Sequence, residues 1–290
     1  MPVAEGVTLV AEWGSGGTAD GEFTFPSGIG VNASGNVYVI DSGDGRVDVF
    51  SPEGRFLMTW GEFNIIGQFL TGPLGIAIDA SGRVYVVDTD NQEVQVFNPE
   101  GQFLRKWGSE GSSDGQFDEP SGIALDASGN VYVADTFNHR VQVFSPEGQF
   151  LRKWGSLGTG DGQFRDHRGI AVDASGNVYV SDRANNRVQV FSPEGQFLRK
   201  WGSEGSGDGQ FKGPRGIAVD ASGHVYVADE SNDRVQVFNA EGQFLQKWGW
   251  GRGDGQFIRL IGIAVDASGN VYVADAATHR VQVFSVDLAE

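Results

Sequence analysis

The chain of 290 residues contains no cysteine. This absence excludes disulfide bonds, a thiol nucleophile and a cysteine-ligated metal. No apolar run approaches the ~18 residues that a membrane-spanning helix needs, so we expect no membrane insertion. The first six residues, Met1-Pro-Val-Ala-Glu-Gly6, have neither a basic start nor an apolar stretch and do not resemble a secretory signal. We expect a soluble protein, and the sequence leaves its cellular compartment open.

Positive charge is also scarce. Lysine and arginine together number 21 against 38 acidic residues, which gives a formal net charge of −17 at pH 7. A strongly acidic protein stays soluble and repels polyanions at long range. Nucleic acid is therefore disfavoured as a partner, because its binding requires a continuous basic surface.

What the chain has in abundance is one repeated pattern, seen clearly between Gly122 and Gly155. Within it lie four short runs of β-branched and aromatic residues bounded by turn residues, which is typical of strands. We call these predicted strands a, b, c and d, and they are Ile123 to Leu125, Val131 to Ala134, Val141 to Phe144 and Phe150 to Trp154. Turns rich in Asp, Ser and Gly connect a to b and c to d, so the unit is predicted to be a four-stranded antiparallel meander.

The unit recurs six times. Its opening Gly-Ile pair stands at glycines 28, 75, 122, 169, 216 and 262. Both faces of each sheet are apolar, so neighbouring sheets must cover both, as in a ring of radially stacked blades. We therefore predict an all-β fold, a six-bladed β-propeller of four-stranded antiparallel blades, in one domain spanning residues 1–290, and we expect a monomer.

The N-terminus indicates how the ring closes. The last unit ends with Val281 to Phe284 and lacks strand d, whereas the segment from Leu9 to Trp13 reads like Phe150 to Trp154. We predict that the N-terminal strand completes the last blade, and that its apolar side chains contribute on the order of 5 kcal/mol.

The recurring segments Gly-Asp-Gly-Gln-Phe, Pro-x-Gly-Ile-Ala-Val-Asp, Gly-Asn-Val-Tyr-Val-Ala-Asp and Asn-His-Arg-Val-Gln-Val-Phe resemble the NHL repeat. The resemblance runs from about Leu9 to Phe284 and implies a six-bladed β-propeller. It does not imply one function, because the family includes ligand-binding sensors, protein- and RNA-binding modules and a metal-dependent lyase.

The two faces of such a disc differ in sequence. The turns between a and b, and between c and d, lie on one face and are nearly identical in every unit. The loops between b and c, and the connectors between d and the next a, lie on the other face and vary. Loops on a rigid scaffold often carry function, so we place any binding site on the variable face, at the mouth of the channel.

Units four and five concentrate basic residues at this mouth. Arg168 and Arg215 immediately precede the innermost strand, where the other units have Ser, Leu or Ile. Their forked donors suit a carboxylate or phosphate, and His167, Arg183 and Lys212 are predicted to assist. The alternative is that these arginines only pair with Asp166 or Asp182. A second recurrent pair, exemplified by Asp135 and Arg140, flanks each b to c loop and is interpreted as a structural ion pair worth ~0.2–1 kcal/mol.

Five apolar residues also break the repeat. Phe63, Ile65 and Ile66 replace a polar connector, and Trp250 stands where other units have Ser. These four form a predicted partner patch, and Phe137, the aromatic residue of a b to c loop, is added to the ligand contacts. Local packing is the alternative for each of them.

These observations favour a non-catalytic binding scaffold whose partner is a protein or peptide, or a small anionic ligand. We predict no catalytic residue, no metal and no cofactor, because no nucleophile set and no H-E-x-x-H spacing is visible. The alternative, implied by the resemblance to lyase members of the family, is a metal-dependent lyase or hydrolase whose histidines, such as His139, His167 and His279, reach the channel. The near identity of units three to five also leaves open a consensus or designed sequence without a ligand.

Overall fold

The computed structural model describes residues 2–61, 70–251 and 253–288, and these form six antiparallel sheets. The chain begins with strands β1 (Pro2–Ala4) and β2 (Val7–Trp13). Blade one consists of β3 (Pro26–Val31), β4 (Val37–Asp41), β5 (Arg46–Phe50) and β6 (Phe56–Trp60). Blade two consists of β7 (Pro73–Ile78), β8 (Val84–Asp88), β9 (Glu93–Phe97) and β10 (Phe103–Trp107).

The next two blades repeat this order. Blade three consists of β11 (Pro120–Leu125), β12 (Val131–Asp135), β13 (Arg140–Phe144) and β14 (Phe150–Trp154). Blade four consists of β15 (His167–Val172), β16 (Val178–Asp182), β17 (Arg187–Phe191) and β18 (Phe197–Trp201), with a 3₁₀ turn at Arg183–Asn185.

Blade five consists of β19 (Pro214–Val219), β20 (Val225–Asp229), β21 (Arg234–Phe238) and β22 (Phe244–Gly249), with a 3₁₀ turn at Glu230–Asn232. Blade six consists of β23 (Leu260–Val265), β24 (Asn270–Asp275) and β25 (Arg280–Val286), to which β2 and then β1 are added. Each innermost strand contacts those of both neighbouring blades, β23 and β3 included, so the ring is closed. The predicted six-bladed propeller is confirmed.

The strand bounds differ from prediction at one recurrent place. The innermost strand of blade three starts at Pro120 rather than Ile123, because Pro120 already pairs with Asp135. An irregularity in register separates Pro120 from Ile123, so the first part of the strand is bulged. The bulge hides these residues from a sequence pattern that relies on strict alternation.

The N-terminal strand closes the ring as predicted. Strand β2 pairs with β25, placing Leu9 opposite Phe284 and Trp13 opposite Val281. The Trp13 ring packs 5.7 Å from Phe50 of blade one, which ties the two ends of the ring together. The additional strand β1 was not predicted, and it extends this sheet from four strands to five.

The core lies between the blades rather than at the centre of the disc. A representative cluster joins Tyr132 and Val143 of blade three to Phe164, Ile170 and Phe191 of blade four. Both faces of each sheet are thus covered by neighbouring sheets, which explains why the strands read as apolar on both sides.

The Asp and Arg that flank the b to c loop are buried, and the expectation of a weak surface pair is wrong. Arg140 Nε lies 2.7 Å from Asp135 Oδ2, and both side chains are almost inaccessible. The other guanidinium nitrogens donate to the carbonyl oxygens of Ser112, Ser113 and Gln116 in the preceding connector. Breaking such a buried pair costs ~3–5 kcal/mol, so the pair anchors the connector above the blade.

The innermost strands approach one another so closely that only glycine fits at one ring of positions. A Cβ on Gly122 would collide with the carbonyl oxygen of Arg168 in the next blade, and the equivalent glycine of every blade meets the same obstacle. This contact explains the Gly-Ile pair that opens each unit.

Candidate functional site

The central channel contains a small cavity of about 100 Å³. Three rings of residues from the innermost strands line it, the residue that precedes each Gly-Ile pair, the glycine and the isoleucine. The first ring is chemically uneven and consists of Ser27, Leu74, Ser121, Arg168, Arg215 and Ile261. The cavity therefore has room for a small group rather than for a whole metabolite, and one side of its rim is basic.

Arg168 and Arg215 occupy adjacent blades in this ring. Arg168 Nε lies 2.7 Å from Asp166 Oδ1, and Arg215 Nη1 lies 3.2 Å from Glu230 Oε1. The two side chains are 20% and 17% exposed. Within the described ranges, neither Nη1 and Nη2 of Arg168 nor Nε and Nη2 of Arg215 hold a protein hydrogen bond, so donors remain for a ligand.

Arg183 links the two carboxylates behind the rim. Its Nη1 lies 2.9 Å from Asp166 Oδ2 and its Nε lies 3.3 Å from Glu230 Oε2. Glu230 is itself buried and accepts a further contact, at 3.4 Å, from Nε of Arg259. Four guanidinium groups thus surround two carboxylates, which leaves a local excess of positive charge in an acidic protein.

The pKa directions reflect this crowding. Burial lowers the pKa of Arg215, and the charges of Arg168, Arg183 and Arg259 lower it further against the opposing effect of Glu230. Burial also acts to lower the pKa of Arg183, but its hydrogen bond with Asp166 and the charge of Glu230 outweigh burial and raise it. Arg215 is therefore the guanidinium for which an additional anion would be most stabilising.

The cluster results from coordinated departures from the repeat. In blades two and three the residue after strand b is Thr89 or Thr136, and its hydroxyl donates to a backbone carbonyl of the next blade. Blades four and five replace this threonine with Arg183 and Glu230. Because the same two blades carry Arg168 and Arg215, the ion pairs stand where other blades have hydroxyl contacts.

Sequence reasoning missed Glu230 and Arg259. Both break the repeat, since Glu230 replaces a hydroxyl residue and Arg259 stands where no other unit has a basic residue. Comparison of the units at every loop position, rather than of the basic residues alone, would have found them. Pairing with Asp166 was anticipated as an alternative, whereas the Asp182 carboxylate pairs with Arg187 instead.

His167 does not reach the channel, and its predicted role as a ligand contact is not compatible with its position. The side chain is completely buried, stacks on Phe164 at 4.5 Å between ring centroids, and places Nε2 2.9 Å from the carbonyl oxygen of Arg140. Burial lowers its pKa to about 4. It occupies the position at which four other blades have proline, and therefore packs between blades.

The remaining predicted contacts lie apart from the cavity lining. Lys212 is exposed on its connector, and its backbone N–H donates to Asp229. Phe137 is 51% exposed in the b to c loop of blade three, and Trp250 is 77% exposed. Trp250 lines a separate groove of about 630 Å³ with Val3 and Trp248. Phe63, Ile65 and Ile66 lie outside the described residues.

No metal site is assembled in the part of the chain that the structure describes. Within it, no group of three or more His, Asp or Glu side chains is arranged to hold a metal ion. His224 pairs with Asp220 at 2.9 Å on the face opposite the arginine cluster. A search of the same residues also finds no helix long and apolar enough to cross a membrane.

Two known proteins contain segments similar to this chain. Protein brain tumor from Drosophila melanogaster is 41% identical over 51 residues, and the B-box type zinc finger protein ncl-1 from Caenorhabditis elegans is 44% identical over 45 residues. These segments cover 18% and 16% of this chain and 5% of each relative. The similarity thus spans about a twentieth of their length.

Solved structures of similar shape include proteins with different functions. A Bacteroides thetaiotaomicron protein of unknown function has a TM-score of 0.74 at 19% identity, over 97% of this chain and 76% of that one. A gluconolactonase from Xanthomonas campestris has a TM-score of 0.69 at 15% identity, over 91% and 87%. A streptogramin B lyase has a TM-score of 0.67 at 12% identity, over 99% and 100%. At such identities the likeness concerns the fold alone.

The family comparison covers more of the chain. The model described as NHL repeat matches residues 23–50, 70–97, 117–144, 168–191, 211–238 and 257–284, one segment in each of the six blades. These segments include the innermost strands and the b to c loops that together form the arginine cluster. The chain therefore belongs to the NHL repeat family.

Proposed function

We propose that this protein is a non-catalytic binding module that holds an anionic group at the channel mouth on its variable face. The observation that carries the proposal is the excess of four arginines, Arg168, Arg183, Arg215 and Arg259, over two carboxylates. In a protein with a net charge of −17, such a local excess is a specific feature.

The geometry favours a carboxylate or phosphate as the bound group. Arg168 and Arg215 line the cavity side by side and have free donors, and guanidinium groups bind planar or tetrahedral oxyanions through paired hydrogen bonds. The cavity of about 100 Å³ accepts only such an end group. The rest of the ligand, a peptide segment or a small molecule, would lie over the variable loops, where the exposed Lys212 and Phe137 are proposed contacts.

The neighbouring side chains support binding rather than catalysis. The Ser27 hydroxyl is hydrogen bonded to Ser42, and the Ser121 hydroxyl to Thr136, so neither rim serine is paired with a base. The His167 imidazole is buried and neutral near pH 7, because burial lowers its pKa to about 4. Proton transfer would require an exposed group with a pKa near the working pH.

Thermal melts with inorganic phosphate and with succinate, at constant ionic strength, test this proposal. Both anions should raise the melting temperature of the wild type by mass action. Arg168→Ala combined with Arg215→Ala should weaken the apparent affinity at least about tenfold. A matched control, Lys153→Ala with Lys200→Ala, removes two charges from the outer strands, where each lysine pairs with an aspartate.

The control should retain the response of the wild type. Equal responses in the two double variants would mean that the anions act only by screening, and would overturn the proposal. Arg215→Lys provides a second comparison, because it keeps the charge but removes the fork. It should bind the anions more weakly than the wild type and more strongly than the double alanine variant.

A further inference from the structure

The outermost strand of each blade carries one position that fills the groove towards the next blade. In blades two, three and four this residue is Arg105, Arg152 or Arg199. Blades five and one have Gln246 and Met58 there, and the strand that completes blade six has Ala11. The groove lies on the face opposite the arginine cluster, beside the a to b and c to d turns.

The three arginines bind in these grooves in the same way. The Arg152 guanidinium lies 5.7 Å from the centre of the Tyr132 ring, and its Nη2 donates to the Tyr132 hydroxyl at 3.0 Å. Arg199 donates to the Tyr179 hydroxyl at 3.3 Å and to the Ala240 carbonyl of the next blade at 2.8 Å. Arg105 likewise donates to the Pro146 carbonyl.

A carboxylate of the next blade faces the same groove. The Ser192 hydroxyl and, more weakly, the charge of Arg152 lower the pKa of Glu194, which lies in the c to d turn of blade four. The protein thus shows what each groove offers a guanidinium group: the face and hydroxyl of a tyrosine, a turn carbonyl and a nearby glutamate.

The groove between blades six and one keeps these features but lacks the arginine. Its volume is about 600 Å³, and it is lined by Tyr272, Asp266, Pro52 and Glu53, with Ala11 at the arginine position. The Tyr272 hydroxyl donates to Asp266 Oδ2 at 3.0 Å. Burial and the Asp266 carboxylate raise the pKa of the Tyr272 phenol. Glu53 is 67% exposed and contacts Arg55 only at 3.5 Å.

We propose that the groove between blades six and one binds an arginine side chain of a basic partner protein. Such a side chain would take the place that Arg152 and Arg199 take in their own blades, lying over Tyr272 between Asp266 and Glu53. The net charge of −17 favours a basic partner at long range. The site is independent of the anion site, because it lies on the other face of the ring.

The groove between blades one and two is a poorer candidate. Met58 partly fills it, and its turn begins with Asn32 where blade six has Asp266. The aspartate on its far side, Asp79, already pairs with Arg83 at 2.6 Å. Its volume is also smaller, about 390 Å³. This contrast restricts the proposal to the groove at Ala11.

The probe is the blocked peptide acetyl-Gly-Arg-Gly-amide, titrated into the full chain and followed by ligand NMR. We expect weak saturable binding, with a Kd of about 1 mM, and at least about tenfold weaker binding of the citrulline peptide, which has the same shape without the charge. The lysine peptide should also bind more weakly, because it cannot stack or fork.

The decisive variant is Ala11→Arg, which restores the residue found in blades two to four. Its own side chain should fill the groove, raise the melting temperature and weaken peptide binding at least about tenfold. Leu57→Arg is the matched control, since it adds the same charge at a side chain that is 49% exposed on the adjacent blade. This control should bind the peptide like the wild type.

Glu53→Gln provides a test that does not depend on filling the groove. It removes one carboxylate that is mostly exposed, and should weaken binding of the arginine peptide but not of the citrulline peptide. The proposal is overturned by unsaturated binding up to about 20 mM, by equal affinity for the arginine and citrulline peptides, or by undiminished binding to Ala11→Arg.

Discussion

Single substitutions within a nearly symmetric chain determine where this protein differs from a plain scaffold. Replacement of a threonine by Glu230 turns a hydroxyl contact into an acceptor for three arginines. Replacement of an arginine by Ala11 leaves open a groove that other blades fill. In both cases the equivalent residue of a sibling blade supplies the reference state, so the effect of the change can be interpreted chemically.

Asp48 illustrates the same principle in stability. Other blades have glutamine at this position, and Gln142 bonds both to Asp135 and to the Gly115 N–H. Asp48 is instead a buried carboxylate beside Asp41, with Arg46 Nε at 3.2 Å. Burial raises its pKa to about 6, against the opposing effects of Thr59 and Arg46, and Asp41 and Asp20 raise it further.

We predict that Asp48→Gln stabilises the protein at neutral pH. Since the folded-state pKa is raised above the unfolded value, the wild type loses stability as pH rises from about 4 through about 6. The loss amounts to ~3 kcal/mol for a shift of about two units. The gain in the variant should thus be present at pH 7 and vanish near pH 4, as measured by urea unfolding across this range. A gain independent of pH would contradict the assignment.

At the scale of the elements, the innermost strands depend on close backbone contact. A Cβ on Gly28 would collide with the Leu74 carbonyl of the next blade, whereas one on Gly30 would meet only isoleucine side chains at ordinary or slightly short distances. Alanine stands at the position of Gly30 in the other five blades. The two glycines of strand β3 therefore have different roles.

We predict that Gly28→Ala lowers the free energy of unfolding by ~1–3 kcal/mol, because the strands must move apart. Gly30→Ala is the matched control and should be neutral or stabilising, because it reduces the entropy of the unfolded chain. Chemical denaturation of both variants checks this, and a similar loss in both would argue against the glycine contact.

The N-terminal strand is the other element on which the ring depends. Deletion of residues 1–14 removes β2, the packing of Trp13 and all pairing to β25. We predict a loss on the order of 5 kcal/mol, with earlier melting and aggregation in size-exclusion chromatography. Deletion of residues 1–4, which removes only β1, should have a much smaller effect. Unchanged melting and elution of the longer truncation would refute closure by this strand.

At the scale of the whole molecule, the sequence was sufficient for the architecture. The Gly-Ile spacing, the turn residues and the missing last strand determine a closed six-bladed ring without reference to coordinates, because each unit needs cover on both faces. The short strand β1 escaped prediction because its three residues carry no pattern, and burial of Asp135 with Arg140 escaped because sequence does not reveal solvent access.

The candidate site was only partly predictable. Arg168 and Arg215 could be placed at the rim because they break the repeat next to the innermost strand. The side-chain directions could not be predicted: His167, next in sequence to Arg168, points between blades, and Glu230 comes from the following blade to join the arginines. Residues brought together from different blades are the part that requires three-dimensional coordinates.

The most direct measurement of the central claim is a crystal structure with selenate, located by anomalous scattering. Selenate mimics a tetrahedral oxyanion, and the account predicts a peak within hydrogen-bond distance of the Arg168 and Arg215 guanidinium groups. The peak should disappear in the variant that combines Arg168→Ala with Arg215→Ala. Selenate bound only at outer-strand lysines, or at no site on the variable face, would contradict an anion-binding channel mouth.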